Sequence, residues 1–330
     1  MKTEITCELS NLRKKIDNID EGLLNLLDKR IKAVRSIGNF KEKNNLPIID
    51  NSRETNVLNK TDKTVNPIAI RSIFKKIIKE SRNIQHNKSL KIGIIGFGAM
   101  TQFMVSFLKQ KAEIFVSDIK DKSKLAEKLG VKFVSVQEAA KKDIVILAPP
   151  VNQLKQCMLE IKDLLNPGAL LLDVCSVKVK PINIMLKLAP NNVEIIGTHP
   201  LFGPQSGKNT IKGLKIVLCP VRTTRLDQIK EFLQSFDLEV IICTPEKHDK
   251  EMAKTQSLAH LIGKALVNLD INEGEITTPS FSHLINLKEN LKQDRPELFN
   301  CIQNDNPFAK KIRNNFFNEL DKINKQTKKR

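Results

Sequence analysis

The chain opens with a long helical pattern of apolar residues. Six of them lie alternately three and four residues apart: Leu9, Leu12, Ile16, Ile19, Leu23 and Leu26. This spacing puts them in one line along a helix, whereas a strand would alternate every second residue. The pattern predicts a first helix from about Cys7 to Asn44, roughly 55 Å long. A helix of that length has no compact neighbour of its own size, so we expect a partner chain.

Two shorter helices are predicted next. Pro47 should end the first helix, and residues 50–52 offer caps for a second helix that begins at Arg53. Pro67 opens a third helix with one apolar face. That face carries Ile70, Ile73, Phe74, Ile77 and Ile78. We therefore expect an all-helical module over residues 1–88, with the polar stretch QHNKS as a linker.

After Ser89 short apolar runs alternate with helical stretches. The runs are KIGIIGF, EIFVSD, DIVILAPP, ALLLDVCS, EIIGTHP, KIVLCP and EVIICTP. Such runs are typical of strands in a mainly parallel sheet that is covered on both faces. From about Glu246 helical periodicity continues to a lysine-rich end. We expect an α/β doubly wound (Rossmann) domain over 89–245 and an all-α domain over 246–330, which in dehydrogenases of this plan usually forms a dimer interface.

Composition narrows the class of protein. The net charge is +18, yet the chain has no Trp or Tyr to stack on bases, so nucleic-acid binding is not expected. The positive charge would instead attract dianionic substrates. The six cysteines form no CxxC pair, no metal site is expected, and no apolar run is long enough to span a membrane. Without a signal peptide pattern, a cytoplasmic protein is expected.

Several polar side chains interrupt the apolar faces of the first and third helices. Arg30 stands where the apolar seam would continue, and Lys41 projects from nearly the same face three turns later. Arg13 lies about 100° around the helix from Arg30 and therefore points away from it. Ser81 and Gln85 continue the apolar stripe of the third helix. Buried cationic and polar side chains of this kind require an anionic ligand.

The runs LRKKIDNIDEGLLNLLDKR, FKEKNNLPIIDNSRE and KESRNIQ resemble the all-helical chorismate mutases, whose intertwined dimers exchange an arginine. The resemblance implies electrostatic stabilisation of a pericyclic transition state, with no nucleophile. It assigns Arg13, Arg30 and Arg53 to the substrate carboxylates, Lys41 and Gln85 to the ether oxygen, and Asp50, Glu54 and Ser81 to the rest of the pocket.

The stretch KIGIIGFGAMTQF predicts a strand, a glycine turn and a helix start that bind a dinucleotide. Its expected contact residues are Gly96, Phe97, Gly98, Ala99 and Met100. Asp118, at the end of the next strand, should accept bonds from a ribose and repel a 2′-phosphate, which favours NAD over NADP. Thr101 replaces the third glycine of the fingerprint, where helix and strand pack closely.

Three later motifs, DVCSVK, THPLFGPQSGKN and EKHDKEMAKTQSLAH, resemble those of prephenate and arogenate dehydrogenases, and the similarity covers about residues 90–310. The resemblance implies that His199 is the catalytic base and that Ser176 bonds the same substrate hydroxyl. It places His248, Gln256 and His260 on the substrate side.

One departure from the family concerns the substrate carboxylate. Asn290 stands where many bacterial prephenate dehydrogenases have an arginine, and Lys178, Lys208 or Lys292 could supply the charge instead. Cys219 stands where arogenate-preferring relatives have an acidic residue. That difference favours prephenate.

The predicted function is a two-step synthesis in a homodimer. Chorismate is rearranged to prephenate, which is oxidatively decarboxylated with NAD to the tyrosine precursor 4-hydroxyphenylpyruvate. One alternative is an arogenate dehydrogenase with an attached mutase. Another is a catalytically weak NAD-binding regulatory module, and a third is a different β-hydroxyacid dehydrogenase, which leaves THPLFGP unexplained.

Overall fold

The computed structural model describes residues 2–44, 50–85, 90–292 and 294–328, without the side chains of 2–7, 42, 43, 51, 83 and 85. The chain forms two compact units, Met1–Leu90 and Lys91–Arg330. The five cysteines with described side chains are free thiols. None of the helices in the described ranges has the length and apolar character that a membrane span needs.

The N-terminal unit is all helical, as predicted. Its helices are α1 (Lys2–Lys43), α2 (Asn51–Asn59) and α3 (Pro67–Gln85), with a 3₁₀ turn at Lys60–Lys63. Asp50 caps α2 by accepting a bond from the Arg53 amide at 3.0 Å. Val34 of α1 and Ile78 of α3 are buried, whereas every residue from 8 to 29 is exposed. The unit therefore has a small core at one end of α1.

The second unit is built on one eight-stranded sheet, in the order β3-β2-β1-β4-β5-β6-β7-β8. The strands from β1 to β6 that have a described register run parallel, β7 is antiparallel to β6, and β8 is parallel to β7. The mainly parallel sheet is thus confirmed, with β7 and β8 reversed. The strands are β1 (Leu90–Ile95), β2 (Ala112–Ser117), β3 (Lys132–Phe133), β4 (Ile144–Leu147), β5 (Leu170–Asp173), β6 (Glu194–Pro200), β7 (Lys215–Arg222) and β8 (Glu239–Ile242).

Helices cover the central strands and leave them without exposed faces. All residues of β4 and β5 are buried, which explains why these runs show no alternation of apolar and polar residues. Leu154, Met158 and Ile161 of α7 and Met185 of α8 are fully buried against this sheet. The covering helices are α4 (Ala99–Leu108), α5 (Ser123–Lys128), α6 (Val136–Ala140), α7 (Val151–Ile161), α8 (Val179–Leu188) and α9 (Leu226–Gln234).

The remainder of the described chain is helical, as predicted. Two π-helical turns, Ala253–Ser257 and Cys301–Asp305, lie within it, and the Gln303 amide donates to the Ser257 carbonyl at 2.7 Å. Turns of this kind are rare and are frequent at functional sites. The helices are α10 (Pro245–Met252), α11 (Leu258–Asn268), α12 (Pro279–Lys292), α13 (Pro296–Asn300) and α14 (Ala309–Thr327).

Candidate functional site

A glycine turn joins β1 to α4 at the carboxyl edge of the sheet. Gly96 has a φ of +102°, and a Cβ there would lie 2.8 Å from the Ala148 backbone, so only glycine fits. Gly98 caps α4 with extended backbone, which leaves the first amides of the helix directed outward at Ala99 and Met100. Phe97, between the two glycines, is fully buried. The turn thus presents a helix N-terminus of the kind that binds a pyrophosphate.

Asp118 follows β2 and faces this turn. Its carboxylate accepts bonds from the Phe97 amide at 2.8 Å, the Lys120 amide at 3.0 Å and the Lys122 ammonium at 2.7 Å. Burial alone would raise the pKa of Asp118, but these bonds outweigh it and the pKa is lowered. Asp118 is therefore a fixed carboxylate beside the glycine turn, where a dinucleotide places its adenosine ribose.

Thr101 is accommodated where a third glycine was expected. The side chain is 1% exposed, and its hydroxyl donates to the Gly96 carbonyl at 2.7 Å. The larger side chain therefore fastens the glycine turn to α4 and leaves no buried polar group unsatisfied. Together with the helix N-terminus and Asp118, this arrangement fits NAD.

Three buried side chains are joined in a row by hydrogen bonds, and the first of them is His199, near the end of β6. The His199 Nδ1 lies 2.9 Å from the His248 Nε2, and the His248 Nδ1 lies 2.8 Å from the Asp249 Oδ1. Asp249 also accepts bonds from the Lys178 and Val179 amides at 2.7 and 2.9 Å.

The acceptor at the end of this chain determines the positions of the protons. Because a carboxylate only accepts, the His248 Nδ1–H donates to Asp249, and the Nε2 of a neutral His248 then accepts a hydrogen bond from the His199 Nδ1–H. The tautomers follow from this bonding pattern, and they leave the His199 Nε2 as an unprotonated base. Burial, the neighbouring His248 and the Lys178 charge together hold the pKa of His199 well below its usual value.

Lys178 lies beneath the same network. Its ammonium is completely buried and is bound by the Asp173 carboxylate and the Thr198 carbonyl. Thr198 is also bonded to Asp173, which joins the ends of β5 and β6 beside His199. This ion pair holds the strand ends together, and the Lys178 charge acts on the imidazole of His199.

Three further predicted side chains lie on other elements of this unit. Ser176 is half-buried in the loop that follows β5, the strand beside β6. Gln256 lies in the first π-helical turn, and its buried Oε1 has no hydrogen-bond partner among the described residues. The His260 Nδ1 of α11 is 3.6 Å from the Asp294 Oδ2. Burial lowers the pKa of His260 and raises the pKa of Asp294.

Predicted residues also meet in the N-terminal unit. The Arg30 guanidinium of α1 bonds the hydroxyl of Ser81, which donates in turn to the Ile77 carbonyl at 2.6 Å. Burial and the nearby Arg53 charge lower the pKa of Arg30. Such mutual repulsion between cations would be relieved by an anion.

Other predicted residues of this unit are engaged with the protein or lie apart. Glu54 is bound by Arg82, with Nε and Oε1 2.8 Å apart. The bonds of the Arg53 amide and the Ser52 hydroxyl, with the charges of Lys41 and Arg53, lower the pKa of Asp50. Arg13 is exposed, about 25 Å along α1 from Arg30. The Gln85 side chain lies outside the described residues.

Comparisons with known proteins agree with this division. Sequence models match for chorismate mutase type II at residues 12–86 and for the prephenate dehydrogenase nucleotide-binding domain at residues 106–242. A third model, the TYRAAT1-like C-terminal domain, matches residues 265–330. The chain carries a chorismate mutase domain and a prephenate dehydrogenase domain.

Relatives of the dehydrogenase domain occur in archaea and plants. The probable arogenate/prephenate dehydrogenase of Methanocaldococcus jannaschii is 30% identical over 73% of this chain and 58% of its own length. Arogenate dehydrogenase 2, chloroplastic, of Arabidopsis thaliana is 29% identical over 68% of this chain and 66% of its own length. The chain thus spans about three fifths to two thirds of these relatives.

A solved structure shares the fold of the dehydrogenase domain. The crystal structure of prephenate dehydrogenase from A. aeolicus in complex with hydroxyphenyl propionate and NAD+ aligns with a TM-score of 0.59. Sequence identity is 21%, and the alignment covers 72% of this chain and 91% of the other.

The structure corrects two expectations about the dehydrogenase domain. Lys178 cannot bind a substrate carboxylate, because its ammonium is buried and already bound by Asp173. Cys219 cannot report on substrate choice, because this β7 residue is fully buried in the core. His248 has both ring nitrogens engaged by His199 and Asp249, and its place on the substrate side stays a prediction.

Several residues of both domains escaped the sequence analysis. Asp249 and Asp294 are the acidic partners of His248 and His260. Arg82 binds Glu54 in the mutase domain. For Asp249 the signal was present, since the HD pair stands inside a recognised motif. The other two contacts join distant parts of the chain and leave no local pattern.

Proposed function

We propose that the mutase domain rearranges chorismate to prephenate and that the dehydrogenase domain oxidatively decarboxylates prephenate with NAD. The proposed oxidation of prephenate rests on the tautomer of His199. An imidazole whose Nδ1 donates inward presents an unprotonated Nε2 near the carboxyl edge that also bears the glycine turn. A base at this position suits the removal of a hydroxyl proton while a hydride departs.

The chemistry divides between the cofactor and the protein. NAD, when bound, supplies the hydride acceptor. His199 takes the proton of the ring hydroxyl as the carbon that bears it loses hydride, and Ser176 holds the same oxygen. The ring carboxylate leaves as carbon dioxide, its bonding electrons complete the aromatic ring, and the oxygen regains its proton from His199. Gln256, with its unpartnered buried carbonyl, completes the substrate side.

The mutase step requires fixed positive charge and no proton transfer. Arg30 and Arg53 bind the substrate carboxylates, and a bound anion offsets both the burial and the Arg53 repulsion that lower the pKa of Arg30. Lys41 and Gln85 stabilise the ether oxygen, while Asp50, Glu54 and Ser81 shape the pocket. Arg13 is too far along α1 to join them, so we assign it to the site of a second copy in a homodimer.

The proposed limits of the domains are 1–88, 89–245 and 246–330, with the last forming part of the dimer. Prephenate is the proposed substrate of the oxidation, because the mutase domain in the same chain produces it. Linking the two sites raises the local concentration of that intermediate.

Arogenate is the second candidate substrate. It has an amine where prephenate has a ketone, and Asp294 places an acidic group 3.6 Å from His260, which is assigned to the substrate side. Two relatives are also named for arogenate. Steady-state oxidation of both substrates separates the candidates, since a higher kcat/KM with arogenate would refute the choice of prephenate.

The combined activity is tested by incubating the purified chain with chorismate and NAD. We expect NADH and the keto acid to appear together after a lag while prephenate accumulates. Binding of NAD without turnover of either substrate would instead support the regulatory alternative.

The mutase site is tested separately with Arg30→Ala. Loss of a charge that stabilises the transition state should lower mutase kcat about 10²- to 10³-fold. Oxidation of added prephenate should be unchanged. Arg35→Ala, on an exposed part of the same helix, is the matched control. Equal loss in both variants would argue against this site.

A further inference from the structure

The segment that follows β2 is rich in lysine. Residues 118–124 read DIKDKSK, with three lysines against two aspartates. In a doubly wound sheet this segment lies beside the adenosine ribose, where NAD carries a 2′-hydroxyl and NADP a 2′-phosphate. Its charge therefore bears directly on the choice between these two dinucleotides.

The Asp118 carboxylate has little hydrogen-bonding capacity left. Its Oδ2 accepts from the Phe97 amide and the Lys122 ammonium, and its Oδ1 accepts from the Lys120 amide. Because each carboxylate oxygen accepts about two bonds, one position remains, on Oδ1. Asp118 can thus take one ribose hydroxyl but not a bidentate pair, which weakens its preference for an unmodified ribose.

Lys122 neutralises the carboxylate that would repel a phosphate. Its ammonium is 2.7 Å from the Asp118 Oδ2 and 2.8 Å from the Phe97 carbonyl. The Lys122 side chain is 26% exposed and that of Asp118 is 12% exposed, so the cation is the more accessible partner. A lysine ammonium on a flexible four-carbon stem can turn toward an added dianion without breaking the turn.

We propose that the dinucleotide site accepts NADP as well as NAD, and that Lys122 sets the ratio of the two affinities. The inference rests on the proposed function only for the identity of the dinucleotide site. It is tested by binding, so failure of turnover would refute the proposed function and leave this inference standing.

The experiment is calorimetric titration of the full chain with NAD+ and with NADP+, at low and high salt. We expect the wild-type Kd for NADP+ to lie within about thirtyfold of that for NAD+. Lys122→Gln should raise the ratio of the NADP+ Kd to the NAD+ Kd about tenfold, which is the usual effect of losing one charged hydrogen bond. In the wild-type protein, the affinity for NADP+ should also fall more steeply with salt than the affinity for NAD+.

Three further variants make the result specific. Lys122→Arg keeps the charge and should keep the ratio near the wild-type value. Asp118→Asn removes the repulsion and should lower the ratio. Lys124→Gln, an exposed lysine of the same segment, should leave it unchanged. Because the ratio is taken within each variant, a partly unfolded sample does not mimic the effect.

Two outcomes would overturn the proposal. One is a wild-type preference for NAD+ of more than about thirtyfold. The other is a ratio that Lys122→Gln does not change.

Discussion

The two units place their apolar side chains differently. In the dehydrogenase domain Leu147, Leu170 and Leu171 of the central strands are fully buried. In the mutase domain Ile16, Leu23 and Leu26 of α1 are 56%, 52% and 64% exposed. The dehydrogenase domain therefore buries its sheet within one chain, whereas the mutase domain leaves an apolar helical seam without a covering layer in the described structure.

The functional residues show the same contrast. His199, His248 and Asp249 form a closed network inside one chain, with every ring nitrogen but one engaged. In the mutase domain Arg13 and Arg53 are exposed. If the proposed sites are correct, the one inside the sheet domain is complete in one copy, while the one along the uncovered helix requires a second copy. The following predictions separate these two cases.

The largest effect is expected for His199→Asn. Asparagine cannot accept the hydroxyl proton, so kcat for prephenate oxidation should fall about 10²- to 10⁴-fold. Mutase activity should be unchanged, because no residue of that site is altered. Both rates are measured on one preparation, with His283→Asn, at an exposed histidine, as the control. A parallel loss of mutase activity would show that the two sites are not independent.

Next in size is the effect of placing charge on the seam of α1 with Ile16→Asp and Leu23→Asp together. Two carboxylates in an apolar interface should separate the two mutase domains, weaken the dimer and lower mutase kcat about 10²-fold, because the arginine of the second copy is lost. Sedimentation velocity gives the oligomeric state, and a mutase assay gives the rate.

The matched control for the seam is Asn18→Asp with Asn25→Asp. These residues have the same spacing on another face of α1, so the net charge added is the same. The control should remain dimeric and active. If the seam variant kept full mutase activity as a monomer, the site would be complete in one chain.

Much of this contrast was predictable from local patterns. Spacing alone predicts the seam from Leu9 to Leu26, the buried strands and the turn at Gly96. The period of apolar residues and the position of a glycine are local properties of the sequence. The two-residue strand β3 was missed, since a run that short carries no period.

The parts that were not predicted depend on contacts between distant segments. Lys178 reads as a free cation in sequence, and only the approach of Thr198 and Asp173 buries it. Cys219 looked like a substrate-side position, but its strand turns that side chain into the core. Charge and burial of one side chain are set by tertiary neighbours, which a single sequence does not display.

A smaller effect is expected for Asp249→Asn. The Asp249 Oδ1 accepts from the Lys178 amide and pairs with the His248 Nδ1, while its Oδ2 accepts from the Val179 amide. The NH₂ group of asparagine must therefore face one of these donors, which disrupts the hydrogen bonds that orient His248 and His199. We expect kcat to fall about 10- to 100-fold and the pH profile of oxidation to shift, which a purely structural change would not cause. Asp227→Asn, at an exposed position, is the control.

The smallest effect concerns pH in the wild-type enzyme. The pKa of His199 is held below its usual value by burial, His248 and Lys178, so the base stays unprotonated as pH falls through the ordinary histidine range. Between pH 8 and about 6.5, kcat/KM for prephenate should change less than about twofold, with loss only at lower pH.

The stability of the protein should also decrease at low pH. Below about pH 6.5 the unfolded chain binds a proton that the buried His199 does not, so the free energy of unfolding decreases as pH falls. Denaturant titration of wild type and His199→Asn at pH 7.5 and 5.5 isolates this contribution, which should be smaller in the variant. A kinetic pKa at or above the ordinary histidine value would mean that the imidazole is not held neutral, and the donor chain from Asp249 would need another explanation.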